Sequence, residues 1–102
     1  MSIKKQILKS KPLAKVSFKI SKSEGLDAKK AFLVGDFNAW SETSHPLKAL
    51  KDGSFSITIE LETGREYQFR YLLDESTWIN DSEADNLIPG GIGNEKNGVI
   101  IL

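Results

Sequence analysis

Residues 55–73 read FSITIELETGREYQFRYLL. Phe55, Ile57, Ile59 and Leu61 alternate with Ser56, Thr58 and Glu60, the period-2 signature of a strand with one buried face. Thr63-Gly64-Arg65 supplies a turn. The alternation then resumes, with Tyr67, Phe69, Tyr71 and Leu73 on one face and Gln68, Arg70 and Leu72 on the other. Asp52-Gly53, just upstream, is a strong tight-turn dipeptide. Two adjoining half-buried strands in mid-chain, with no helical period around them, make an antiparallel all-β fold the expectation.

Working outward, Ala31-Phe32-Leu33-Val34 is a short apolar run stopped by Gly35, and Val16, Phe18 and Ile20 alternate with Ser17 and Lys19. Both read as strands, joined by a polar loop over 21–30. Residues 1–15 read as a flexible basic lead or an edge strand. Asp36 to Pro46 is expected as an irregular surface segment that nonetheless carries Phe37 and Trp40, while Leu47 and Leu50 precede the Asp52-Gly53 turn. Asp74 to Gly98 reads as one long turn-rich stretch holding Trp78, and Val99 to Leu102 closes the chain as a terminal strand. About seven short strands separated by turn signals predict an immunoglobulin-like antiparallel β-sandwich over residues 16–102.

Composition limits the function. The 102 residues suffice for one core, and 39% hydrophobic with 27% charged content is that of a globular domain. The formal net charge is zero, which opposes general nucleic-acid binding. It conceals an asymmetry, because residues 1–30 carry nine lysines against Glu24 and Asp27, a net +7, and residues 31–102 carry the balancing −7. A solvated arm or edge strand accounts for those spread-out lysines better than an anionic partner does. There is no cysteine, hence no thiolate chemistry or disulfide, and no apolar run long enough to span a bilayer. A cytoplasmic location and no membrane association are expected.

Other constellations carry weaker signals. Asp74, Glu75, Asp81, Glu83 and Asp85 are read as ordinary acids of a polar loop rather than a catalytic pair, so an enzyme is not expected. Asp81-x-Glu83-x-Asp85-Asn86 opens like a calcium loop, but it lacks the glycine and glutamate that complete one. His45, the only histidine, reads as a surface turn residue. The glycine-rich run Pro89 to Gly93 has no following helix with which to cradle a phosphate. No metal or cofactor is expected. Trp40, Trp78, Arg70 and the asparagines Asn38, Asn80, Asn94 and Asn97 remain, and these types suit a sugar. Flat rings cover the apolar face of a pyranose, and amide or guanidinium groups satisfy its hydroxyls. The competing reading makes either tryptophan a core anchor.

At these residues a resemblance becomes specific. Gly35-Asp36-Phe37-Asn38-Ala39-Trp40 is similar to the motif of the isoamylase N-terminal, or glycogen-binding, module family (carbohydrate-binding module family 48). Pro46-Leu47, Asp52 to Phe55, Gly64 to Tyr71, Trp78 with Asn80-Asp81, then Gly93, Asn97 and Val99 follow in that family's order, covering about residues 14–102. The resemblance implies an early-set immunoglobulin-like sandwich that binds α-1,4-linked glucan without catalysis. It assigns Trp40 and Trp78 to stacking on glucose, and places Arg70 and Asn97 where a lysine and an asparagine complete the site in the family members found within the β subunit of AMP-activated protein kinase. It also implies an alternative, a protein-interaction module that docks on a glycogen-metabolising enzyme with no sugar binding of its own.

Overall fold

The computed structural model describes residues 1–90 and 95–102. Among these, nine strands run in chain order: β1 Ser2–Ile7, β2 Leu13–Ile20, β3 Ala31–Gly35, β4 Lys48–Ala49, β5 Phe55–Glu62, β6 Glu66–Leu73, β7 Thr77–Ile79, β8 Asn86–Pro89 and β9 Lys96–Ile101. They form two antiparallel sheets. One has the order β1-β2-β5-β4; the other has the order β3-β6-β9-β8, with β7 also paired to β6. The fold is the all-β sandwich expected, with more strands than the periodicity resolves.

The core lies between the sheets. Alternation drives it, since Ala14, Val16, Phe18 and Ile20 from β2 and Tyr67, Phe69, Tyr71 and Leu73 from β6 are all buried. Phe18, Phe69 and Tyr71 meet edge-on, with ring centroids 5.5 to 6.4 Å apart. Such pairs add directional attraction to the area they bury.

Three features differ from or sharpen the sequence expectations. First, of the two alternatives for residues 1–15, Ser2–Ile7 is the edge strand, paired with β2, which begins at Leu13 rather than Val16. Its register puts Ile3, Lys5 and Ile7 opposite Phe18, Val16 and Ala14, on the core side. Lys5 interrupts the apolar alternation because its ammonium reaches across the sandwich edge to Asp85 Oδ2 (2.5 Å) and the Ile101 carbonyl (3.1 Å). Second, the stretch 74–98 holds β7, β8 and the start of β9. The two complete strands there are three and four residues long, too short to show a period, and Pro89 sits on an edge where its missing N–H costs little. Third, Asp81 is not a solvated loop acid. It is 1% exposed and accepts a 2.6 Å hydrogen bond from the Tyr71 hydroxyl and another from Glu83 N at 2.8 Å.

Gly35 ends β3 for a steric reason. A Cβ there would overlap the Gln68 carbonyl of β6 and the side chains of Phe37 and Phe69. Only glycine lets the backbone turn this close to the sheet, and the turn it begins builds one side of the site.

Candidate functional site

From Gly35 the chain enters a single 3₁₀ turn, Asp36–Asn38, and then two successive left-handed residues, Ala39 (φ 55°) and Trp40 (φ 59°). Each such non-glycine residue costs roughly 1–2 kcal/mol, a strain that must be held by surrounding contacts. Asn38 supplies several. Its Oδ1 accepts from Gly35 N, its Nδ2 donates to the Leu33 carbonyl, and it lies 2.9 Å from His45 Nδ1. Asn38 is therefore structural, and His45 is half-buried, with its ring edge-on to Phe37, rather than a free surface residue.

The turn separates its two aromatics. Phe37 packs inward beside Tyr67, with centroids 6.3 Å apart, so the expectation that it is an exposed loop aromatic fails. Trp40 swings outward and remains 37% exposed. Its indole Nε1 donates to Asp36 Oδ1 at 3.0 Å, and the other oxygen of that carboxylate accepts from Gln68 N on β6 at 2.8 Å. Asp36 thereby fastens the ring to the neighbouring strand.

Trp78 lies on β7, not in a loop. It pairs with Leu72 of β6 on the outer face and is 39% exposed. Neither tryptophan belongs to the core cluster, so the core-anchor reading fails for both.

Arg70 occupies the point where β6 changes partners. Pairing with β9 ends at Phe69↔Gly98 and pairing with β7 begins at Tyr71↔Ile79, leaving residue 70 between two ladders. Alternation points its side chain to the outer face as expected, yet the residue is only 9% exposed, because Asn97 and Glu95 cover it. Its Nε donates to Asn97 Oδ1 at 2.6 Å and its Nη1 lies 3.4 Å from Glu95 Oε2. Nη2 is buried without a partner among the described residues. Asn97 lies within β9 rather than before the terminal strand. It is 5% exposed and donates from Nδ2 to Gln68 Oε1 at 3.0 Å. Its carbonyl holds the guanidinium, and one N–H is left over. Gly90 completes the fit, since a Cβ there would collide with the Asn97 amide.

Trp40, Arg70, Trp78 and Asn97 all line one open cleft of about 420 Å³ on the outer face of this sheet. Its walls are completed by Asp36, Gln68, Gly90 and Glu95, none of which the sequence reading named as site residues. The strand alternation placing Gln68 beside Arg70 was the available signal for Gln68; the contact with Glu95 depends on tertiary folding. Gly91, Ile92, Gly93 and Asn94, which include the family-matched Gly93 and the candidate Asn94, lie outside the described residues. The five loop acids do not line this cleft. Asp74 caps the Lys29 and Lys30 amides, Asp81 is buried under Tyr71, and Asp85 binds Lys5 and Ile101 N. Among the described residues no three His, Asp or Glu side chains converge to hold a metal.

A sandwich whose sheet face carries two half-exposed indoles around a buried guanidinium and amides defines a β-sandwich binding module. The family model of carbohydrate-binding module 48, the isoamylase N-terminal domain, matches residues 26–83, more than half of the chain, and the chain belongs to this family. It is 37% identical over 65 residues to the 1,4-alpha-glucan branching enzyme of Photobacterium profundum, covering 63% of this chain and 8% of that protein. Over 34 residues it is 56% identical to the 1,4-alpha-glucan-branching enzyme of Saccharomyces cerevisiae, covering 32% of this chain and 5% of that protein. The chain thus spans less than a tenth of the length of either relative.

Proposed function

We propose that this chain binds α-1,4-linked glucan of the glycogen or starch type without transforming it. The observation that carries the reading is the convergence of Trp40 and Trp78, both partly exposed, on the cleft that Arg70 and Asn97 floor. In this reading the two indoles stack on successive glucose units. The guanidinium of Arg70 and the remaining N–H of Asn97 donate to hydroxyls, and Glu95 and Gln68 offer acceptors. Arg70 is prepositioned by Asn97, so little side-chain entropy is lost on binding. That both relatives are named for 1,4-alpha-glucan supports this ligand class.

Two rings at about 1–3 kcal/mol each, on the scale of aromatic stacking, plus a few net hydrogen bonds give a dissociation constant of roughly millimolar to micromolar. The test is titration with β-cyclodextrin while tryptophan fluorescence is followed. A saturable change in that range, shifting less than about twofold between low and physiological salt, is expected for a neutral ligand. No saturation, or affinity that falls steeply with salt, would reject the reading.

A second reading, docking on a glycogen-metabolising enzyme, draws on the fact that the matched segments of both relatives lie within much longer enzymes. Co-elution with such an enzyme in the absence of glucan would favour it.

A further inference from the structure

The main cleft does not end at Trp78. A second, smaller cleft of about 250 Å³ lies beyond it, lined by Ile79, Asn80 and Lys96 together with Arg70, Trp78 and Glu95, which line the main cleft too. Trp78 is thus a wall common to both. The second cleft is below the size of a typical self-sufficient ligand site, so it suits the continuation of a ligand held next door.

Its position follows from the topology. β6 pairs β9 as far as Phe69 and β7 from Tyr71 onward, so β7 and β9 diverge and leave a crevice between them. Asn80 spans that crevice, its Nδ2 donating to the Lys96 carbonyl at 2.9 Å. Among the described residues this leaves the Asn80 Oδ1 and a second N–H for a ligand. Lys96, exposed at the start of β9, adds three ammonium donors. Arg70 and Lys96 stand with the Glu95 carboxylate, so the compartment mixes donors and acceptors of both charges rather than presenting one sign. Such a mixture matches the hydroxyls of a neutral sugar better than a phosphate.

We infer that the binding groove is bent around Trp78 and that its second compartment, formed by Asn80 and Lys96, takes further glucose units of the same chain. This inference rests on the α-glucan reading above. The compartment makes the module select for chain length, since a short oligomer fills only the main cleft and a longer one reaches both.

The experiment compares maltotriose and maltoheptaose binding to wild type, Lys96→Ala and Asn80→Ala by calorimetry or fluorescence. Lys96→Ala keeps the backbone carbonyl that anchors Asn80, so it tests the compartment without loosening β7. Wild type is expected to bind maltoheptaose several-fold more tightly than maltotriose. Each variant should weaken maltoheptaose about 2–10-fold while leaving maltotriose within error. If wild type binds maltoheptaose but both variants match it, the second compartment is overturned and the α-glucan reading stands. Equal losses for both oligomers would overturn it also, and would mean that these residues support the main cleft. If wild type binds neither oligomer, the α-glucan reading fails and the inference falls with it.

Discussion

Asp36 decides more than its exposed position advertises. Both its oxygens are used, one on the Trp40 indole and one on Gln68 N, so it turns a strained, solvent-facing aromatic into a fixed wall. Asp36→Ala is expected to weaken glucan binding about 3–10-fold, the scale of one hydrogen bond plus lost preorganisation. In a Trp40→Phe background, which has no N–H to fasten, the same substitution should cost much less. Equal losses in both backgrounds would show that Asp36 acts elsewhere. Tyr71 poses a purely structural question. Burial first, and the Asp81 carboxylate second, push its phenol far above its ordinary pKa, so the hydroxyl stays a donor to Asp81. Tyr71→Phe deprives a buried carboxylate of that donor and should lower the unfolding free energy by about 1–3 kcal/mol in urea melts. A loss below about 0.5 kcal/mol would mean that another group satisfies Asp81.

At the scale of elements, legibility tracked how many residues an element gives its pattern. β5 and β6, eight residues each, were plain from alternation, which also put Arg70 on the outer face. β7 and β8 are too short to show a pattern, so the sequence puts Trp78 in a loop. β1 is legible only as one of two alternatives, an edge strand or a flexible lead, because Lys5 interrupts its apolar alternation and its partners Asp85 and Ile101 are remote in sequence. An inward charge on an edge strand also discourages pairing with another chain. The candidate site was legible mainly through motif resemblance, because Trp40, Arg70, Trp78 and Asn97 come from four separate segments. The burial of Arg70 under Asn97 and Glu95, and the role of Asp36, depend on tertiary contacts that no local pattern encodes. The Lys5–Asp85 contact joins the two sheets at about one-third exposure, so its worth is only about 0–1 kcal/mol. Asp85→Asn should destabilise by that order in urea melts at neutral pH, and the difference from wild type should vanish in acid, where the wild-type carboxyl is protonated too. A difference that persisted in acid would assign the loss to packing.

For the whole molecule, the carboxylates with resolved shifts all point one way. Glu24 is lowered to about 2 by hydrogen bonds from the Met1 ammonium and Ser21. Asp52 is lowered by the Ser54 hydroxyl and amide. In Asp85 burial works upward, but the Ile101 N–H and the Lys5 ammonium outweigh it. Each holds its proton less tightly folded than unfolded, so its contribution is present above the unfolded values near 4 and disappears as pH falls through the folded ones. The melting temperature should therefore drop most steeply from about pH 4.5 down to about pH 2. A flat profile across that window would contradict the assignment.

The two tryptophans remain the most direct test, because they are outside the core and their removal should separate binding from folding. Glycogen co-sedimentation of wild type, Trp40→Ala and Trp78→Ala, with a thermal melt of each, makes the comparison. Wild type is expected to sediment with glycogen. Each variant should lose binding at least about tenfold, while neither melts as a core truncation costing about 3–5 kcal/mol would. Undiminished sedimentation of both variants, or a core-sized loss of stability in each, would contradict it.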